Sequence, residues 1–344
     1  MTGIISDNQG RSSGLVKAVG GGIEKVSSDP GSPAVGDVWF NTTTNLLKVR
    51  GYQATGTFSA EAVYPYWRTV GDMAGNAAAA WSRVGYGNNT SPTSTPNTYH
   101  TYTGDYDGTS WSTGGAYALT VGEVCGTGTA TAGLSTGGWN SGFITHTGEY
   151  DGSSWATTGS LSTGRYDANI GGTQSDAQVN RGRESSGSAG QSTEEYDGSS
   201  WSAGGNVGAD ERTAIGGGAA IASSWTVGGS GETAGFEYDG TSWSSGGDLS
   251  AAKTNGGHSN GGATDDRLIV GNDGSKTTDT ETYNGTSWSA GPAYGITVGG
   301  VEKGTNASTA SGALSIGGSL ASGYSNYTAS YAVPGPTTLT VTTS

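Results

Sequence analysis

The chain has 344 residues, of which 65 are Gly and only 8 Pro, and it carries 10 Trp and 17 Tyr. A mixture of Gly, Ser and Thr without long Ala, Leu, Glu or Lys runs speaks against a helical fold, and aromatic residues able to bury large apolar areas speak against a solvated linker. Fifteen Lys and Arg against 29 Asp and Glu leave a formal charge of −14, which repels phosphate backbones and anionic bilayers and argues against nucleic-acid partners.

The first 56 residues are close to neutral and share little vocabulary with the rest. Met1 to Asp7 has no basic region or apolar run of signal-peptide type, and no stretch of about 18 apolar residues suits a membrane span, so membrane insertion is not expected. Ser32 to Arg50 reads as two strands around an Asn/Thr turn, with alternation in Asp37-Val38-Trp39-Phe40 and in Leu47-Lys48-Val49-Arg50. A lone hairpin is marginal, so this one is expected to lean on a partner surface or another copy.

Beyond it the chain repeats. Tyr-Asp-Gly-Ser/Thr-Ser-Trp runs from Tyr106 to Trp111, Tyr150 to Trp155, Tyr196 to Trp201 and Tyr238 to Trp243, and from Tyr283 to Trp288 with Asn for Asp. The Trp-to-Trp steps of 44, 46, 42 and 45 residues each hold four short strands and their turns, one propeller blade. In the fourth unit the strands are expected at Thr213 to Gly216, Ser223 to Val227, Gly235 to Tyr238 and Thr241 to Ser244, with Asp239-Gly240 turning the last hairpin. A diglycine follows the second strand: Gly228-Gly229 here, Gly137-Gly138 and Gly317-Gly318 elsewhere. Two units depart from the pattern. The third lacks the diglycine signature around Arg181 to Ser185, and the first carries a Pro/Thr/Asn stretch from Asn88 to Thr98 that reads as a long loop.

The last unit has a Tyr strand at Tyr331 but no Trp strand, whereas Tyr66-Trp67-Arg68-Thr69 stands one 44-residue step before Trp111. Pairing six Trp strands (67, 111, 155, 201, 243, 288) with six Tyr strands (106, 150, 196, 238, 283, 331) makes the Trp67 strand the one that closes the ring. The expectation is an all-β protein: a six-bladed β-propeller over residues 57–336 with N-terminal strand closure, preceded by a docking segment with a β-hairpin in 1–56 and followed by a C-terminal tail, 337–344. The repeated Tyr and Trp are expected to pack between blades.

A diglycine followed by a Tyr and then a Trp resembles the kelch repeat, from about residue 67 to 334. Gly36-Asp37-Val38-Trp39-Phe40-Asn41 resembles a hairpin motif of fibre and appendage proteins of tailed phages, and Ser6 to Ala18 is similar to the N-terminal signature of virion proteins of marine phages. The resemblance implies a kelch-like virion protein that docks to other virion proteins through residues 1–56 and exposes the propeller.

No catalytic set is legible. A copper oxidase on this scaffold needs a Cys–Tyr crosslink and His ligands, but His100, His146 and His258 fall in three units without a spacing pattern, and Cys125, the only cysteine, reads as a small buried hydrophobe. Arg165, Arg212 and Arg267 would suit a sialidase-like enzyme, yet no Glu and Tyr nucleophile pair accompanies them. Asp107, Asp151, Asp197 and Asp239 supply one carboxylate per turn, far short of a calcium shell, and read as turn formers. No catalytic residue, cofactor or metal is therefore expected. Candidate binding residues are Trp139 and Asn140 after the diglycine, Tyr324 in the last unit, and Tyr117, Tyr166 and Tyr294 at blade entries, as surface contacts for a host glycan or protein. The reading is a phage tail fibre or adhesin. A capsid decoration or head-fibre protein and a carbohydrate-active enzyme are the alternatives; a homo-oligomer is compatible with the sequence, although no heptad run supports one.

Overall fold

The computed structural model describes residues 23–34, 37–51, 56–69, 71–83, 85–88, 98–185, 190–208, 213–229, 231–254, 257–259, 267–271, 276–299, 312–321, 323–332 and 337–340. The chain divides into two compact units, one made of residues 1–56 with 333–344 and the other of 57–332.

In the first unit, Val38–Asn41 and Leu46–Gly51 form the expected antiparallel hairpin, and Glu24–Val26 adds to it in parallel. The Asn41 side chain accepts the Thr43 and Thr44 amides, each at 3.0 Å, and Asn45 turns at φ 56°. Residues 337–340 of the expected C-terminal tail form a strand. Thr337–Thr340 pairs with Leu46–Gly51, with Gly51 opposite Thr337 and Lys48 opposite Thr340. The hairpin thus finds its support in its own chain, because a Thr-rich segment fits a pleated edge and satisfies its open backbone groups. The Asp29 carboxylate accepts from Lys48 Nζ at 2.5 Å, Asn41 Nδ2 at 2.7 Å and Trp39 Nε1 at 3.0 Å. These donors, Lys48 foremost, lower its pKa to about 2. Its contribution to stability is present above the ordinary value of 3.8 and is lost as pH falls through about 2.

The second unit is a series of antiparallel meanders. The first sheet runs Asp72–Asn76, Ala79–Arg83, Thr103–Tyr106, Trp111–Thr113; the second Cys125–Thr129, Ala132–Thr136, Thr147–Tyr150, Trp155–Thr157. The third runs Asn169–Gly172, Ala177–Asn180, Thr193–Tyr196, Trp201–Ala203; the fourth Ile215–Gly217, Trp225–Val227, Gly235–Tyr238, Trp243–Ser245; the fifth Gly257–Ser259, Arg267–Val270, Thr280–Tyr283, Trp288–Ala290. A further sheet joins Leu314–Ile316, Thr328–Ala332 and Thr57–Ala60. The innermost described strands neighbour one another in chain order, as in a β-propeller. Met73, Ala80 and Tyr106 of the first sheet share one apolar cluster with Leu314 and Ile316 of the last.

Two expectations are corrected here. Trp67–Thr69 does not complete the last sheet; it pairs with Tyr86–Asn88 in a small separate sheet. The strand opposite Tyr331 is Thr57–Ala60, with Phe58 facing Tyr331 as Trp111 faces Tyr106 and Trp288 faces Tyr283. The Phe58 ring lies 5.0 Å from that of Tyr331 and 5.1 Å from that of Tyr294, so an aromatic other than Trp fills the position. In the third unit the second strand is Ala177–Asn180, earlier than expected, and Arg183–Glu184 pairs instead with Arg165–Tyr166. Residues 89–97 of the expected long loop lie outside the described residues.

The repeated Tyr and Trp of the described sheets do pack between sheets, and most also carry a polar link. Tyr196 donates to Glu149 at 2.7 Å and Tyr283 to Glu237 at 3.1 Å; Tyr150 Oη lies 2.8 Å from both Asp105 oxygens, and Tyr238 donates to Glu195. In each case the acceptor immediately precedes the Tyr of the preceding sheet. Ser330 stands in that place before Tyr331, and there Glu61 supplies the carboxylate, accepting from both Ser330 and Tyr106. Trp155, Trp201 and Trp243 donate their indole N–H to Thr103, Thr147 and Thr193 at 2.9–3.0 Å. Burial first, with the carboxylate adding to it, pushes Tyr106 and Tyr238 up to about 12; burial also brings Tyr196 to about 12. The folded chain favours the neutral phenol. That stability is fully present below the ordinary value of 10.0 and is lost as pH rises towards 12, so the urea midpoint is expected to fall steeply across that interval. A flat midpoint from pH 10.0 to 12 would refute the role of these links.

Between the first and second sheets the fully buried Trp81 lies flat on glycine. A Cβ at Gly133 would stand 2.1 Å from Trp81 Nε1 and one at Gly126 2.7 Å from its ring. Gly133→Ala is therefore expected to cost about 2 kcal/mol through overpacking, read as a lower urea midpoint at unchanged slope.

The turn aspartates behave as turn formers. Asp107, Asp151, Asp197 and Asp239 each accept two backbone amides, at 2.8–2.9 Å, from residues two and three further on.

Candidate functional site

Across several sheets the segment entering the blade pairs with the loop that follows the second strand. Gly122 bridges to Trp139 and Trp139 to Phe143; Arg165–Tyr166 pairs with Arg183–Glu184; Tyr86–Asn88 pairs with both Trp67–Thr69 and Thr98–Tyr99. The diglycine makes this layer. Gly137 and Gly138 both turn at positive φ, 71° and 107°, and the Gly138 amide donates to the Arg165 carbonyl at 2.8 Å. A Cβ on Gly137 would come within 2.6 Å of that same carbonyl oxygen, so glycine alone permits the approach.

This layer gathers aromatic side chains. Trp139 lies 5.1 Å from both Phe143 and Tyr166, and the latter two are 5.4 Å apart, centroid to centroid. The Arg183 guanidinium stands 5.5 Å over the Tyr166 ring. Tyr86 is 5.1 Å from Tyr99 and 6.4 Å from Tyr324, and the Tyr99 ring presses on Gly122, where a Cβ would meet it at 2.6 Å. A band of half-buried rings therefore extends from Tyr324 through Tyr86 and Tyr99 to Trp139, Phe143 and Tyr166. Asn140 is exposed beside it, its amide donating to the Thr120 carbonyl at 2.5 Å.

Two acidic residues edge the band in a conformation uncommon for residues with a Cβ. Glu123 and Asp167, 44 residues apart and each just before an inner strand, sit at φ 56° and 55°, and the Asp167 amide donates to the Glu123 carbonyl at 3.1 Å. Burial and then the Glu123 charge push the Tyr99 phenol up to about 12, with smaller contributions from Tyr86, Tyr166 and Asp167.

Of the sequence candidates, the structure brings Trp139, Asn140, Tyr166 and Tyr324 to this band or its edge. Tyr117 and Tyr294 are corrected: both are buried. Tyr117 donates to the Ser135 carbonyl at 3.2 Å, lies under the Arg83 guanidinium at 4.3 Å and occupies the space above Gly148. Tyr294 reaches Ser315 Oγ at 3.2 Å. Each stands six residues after a Trp, at an inward position that Leu161, Val207 and Leu249 hold in other units; those Leu and Val residues were the readable signal. Tyr86, Tyr99, Phe143, Glu123, Asp167 and Arg183 were missed, since they lie outside the repeated phrase.

The residues weighed for enzyme chemistry hold structure together. Arg165 is buried and ion-paired to Glu194 at 3.0 Å and Glu184 at 3.4 Å; Arg267 is paired to Glu237 at 2.9 Å. His146 contacts the Tyr117 hydroxyl at 3.0 Å and Thr157 at 3.1 Å, while His100 contacts the Gly87 carbonyl at 3.1 Å. Cys125 is buried in the core of the second and third sheets. Arg212 and the His258 side chain lie outside the described residues.

No protein-family model and no curated protein matches the sequence. Among solved structures, one titled "Structure of YjhT" is similar at a TM-score of 0.63 and 12% identity, covering 82% of this chain and 99% of that one. With the meanders above, that likeness defines an all-β, β-propeller-like fold.

Proposed function

We propose that the chain is a phage attachment protein: a six-bladed propeller, closed by the Thr57–Ala60 strand, that docks to the particle through its first unit and meets the host surface with the aromatic band. Six Tyr strands, the pairing of Phe58 with Tyr331 and the cluster shared by the first and last sheets support the blade number and the closure. The hairpin motif of the first unit supports docking to other virion proteins. One observation carries the binding role: the repeated Tyr and Trp already fill the spaces between sheets, so the rings of Trp139, Tyr166, Tyr86 and Tyr99 are additional to what the repeat needs. Arg165 and Arg267, both buried and ion-paired, favour a binding module over an enzyme.

Immunogold labelling of intact particles tests the reading. Gold on the tail tip or fibres supports attachment; gold over the whole head makes this a capsid decoration protein, and unlabelled particles remove the virion reading. Soluble protein should also bind host cells, and Trp139→Ala should reduce that binding at least tenfold.

A further inference from the structure

We propose that the band formed by the first three sheets binds a neutral pyranose glycan, with Trp139 and Tyr166 as stacking platforms and the Glu123 and Asp167 carboxylates as acceptors for sugar hydroxyls. This rests on the attachment reading and names its ligand.

A pyranose presents an apolar face of C–H groups and a rim of hydroxyls, so its receptor needs flat rings flanked by polar atoms. Trp139 and Tyr166 supply half-buried rings 5.1 Å apart, inclined at 57° to each other. Around them stand the Tyr86 and Tyr99 rings, the exposed Asn140 and the Arg183 guanidinium, a donor set over the Tyr166 ring. A carboxylate has about four acceptor sites and no donor of its own when ionised, which suits it to accept from hydroxyls.

Glu123 and Asp167 hold left-handed backbone at equivalent entry positions of successive blades, as Thr213 does in the next, so the repeat fixes where these two carboxylates start and only these two blades put an acid there. Glu123 follows Gly122, on which the Tyr99 ring presses, Asp167 follows Tyr166, and the Asp167 amide donates to the Glu123 carbonyl, so the acceptors and the rings share one locality.

Charge selects the neutral class. A chain of formal charge −14, with two carboxylates at the site, repels a polyuronate or sulfated glycan, and the single guanidinium at Tyr166 does not offset that. A neutral hexose polymer meets no such repulsion.

The test uses the full-length protein on immobilised neutral homopolymers of glucose, mannose and galactose, with alginate and a sulfated galactan as anionic counterparts, and in parallel on host cells. Binding to at least one neutral polymer, unaffected by salt, is expected. Trp139→Ala should lower it at least tenfold, and Glu123→Gln about tenfold, with Tyr102→Ala neutral, since that exposed ring stacks on Tyr66 and His100 and not on the band. Tyr99→Phe and Asp167→Asn keep ring and shape, and a several-fold loss in either covers the case in which Trp139→Ala does not fold. Binding confined to the anionic polymers, or neutral binding that survives all four band substitutions, overturns the proposal. Host-cell binding with no neutral polymer bound overturns the glycan assignment and leaves attachment standing. Neutral binding without host-cell binding does the reverse.

Discussion

Phe58→Ala is expected to lower the thermal midpoint by roughly 6–12 °C, and Phe58→Trp to leave it nearly unchanged. The Phe58 ring lies against those of Tyr331 and Tyr294 at 5.0 and 5.1 Å, and its strand is the outer partner of Thr328–Ala332. Removing a half-buried ring at such a place costs about 3 kcal/mol. In the proposed ring this strand also holds the last sheet against the first through Glu61, which accepts from Ser330 on one side and Tyr106 on the other. Its loss should therefore loosen the apolar cluster that Met73, Ala80 and Tyr106 share with Leu314 and Ile316. Hydrogen exchange would show this as faster exchange in both sheets; a loss of protection confined to the last sheet would count against closure. Trp is the residue opposite Tyr in the five other sheets, which is why Phe58→Trp should be tolerated.

Glu194→Ala is expected to destabilise by about 4 kcal/mol, whereas Arg165→Met with Glu194→Leu should recover more than half of that. Arg165 has no exposed side-chain surface and Glu194 is 3% exposed. Besides the 3.0 Å ion pair, Glu194 accepts the Ser162 amide and hydroxyl at 2.7 Å each. Removing the carboxylate leaves a guanidinium in the interior that keeps its bonds to Ser192 and the Arg181 carbonyl but, among the described residues, has Glu184 as its remaining carboxylate, a larger penalty than the pair's own net worth. The same device recurs in the fifth sheet, where Glu281 accepts the Ser250 amide at 3.0 Å and pairs with Lys253 at 3.5 Å. Lys253→Met with Glu281→Leu should behave in parallel. If the single and double variants of either pair unfold at the same urea concentration, the uncompensated charge is not the cause.

Much of the fold was legible because the repeat is a phrase with a physical meaning at each place. Tyr and Trp face each other across a hairpin, the Asp between them closes the turn, and the diglycine supplies two positive φ angles. What misled was the join. Trp67 stands one 44-residue step before Trp111, yet the first unit is longer than the others, and the matching residue is Phe58, 53 residues away. The better signal was Phe58-Ser59-Ala60 with Tyr64 six residues after the Phe, which matches Trp288-Ser289-Ala290 and Tyr294. Searching for Trp alone hid it.

The candidate site was only partly legible for a related reason. Repeats announce the residues that every blade needs, and a binding surface is made of those that only one blade has. Trp139 and Tyr166 could be placed because they sit at fixed offsets from repeated residues. Glu123 and Asp167 look like ordinary surface acids in sequence, and it is the fold that joins them, the Asp167 amide donating to the Glu123 carbonyl. Tyr86 and Tyr99 flank the irregular stretch of the first unit, where no offset applies.

Gly51 and Thr337 face each other at one end of an antiparallel pair, so the chain leaves the first unit and returns to it at neighbouring points. In the proposed attachment role, a particle held by its host and pulled by flow would load that pair from the end marked by Gly51 and Thr337. Antiparallel strands loaded this way unzip one rung at a time, at lower force than strands sheared along their length. The rung from Gly51 to Thr337 is then the first to yield and the one from Lys48 to Thr340 the last, while the covalent path through Leu46–Gly51 still holds.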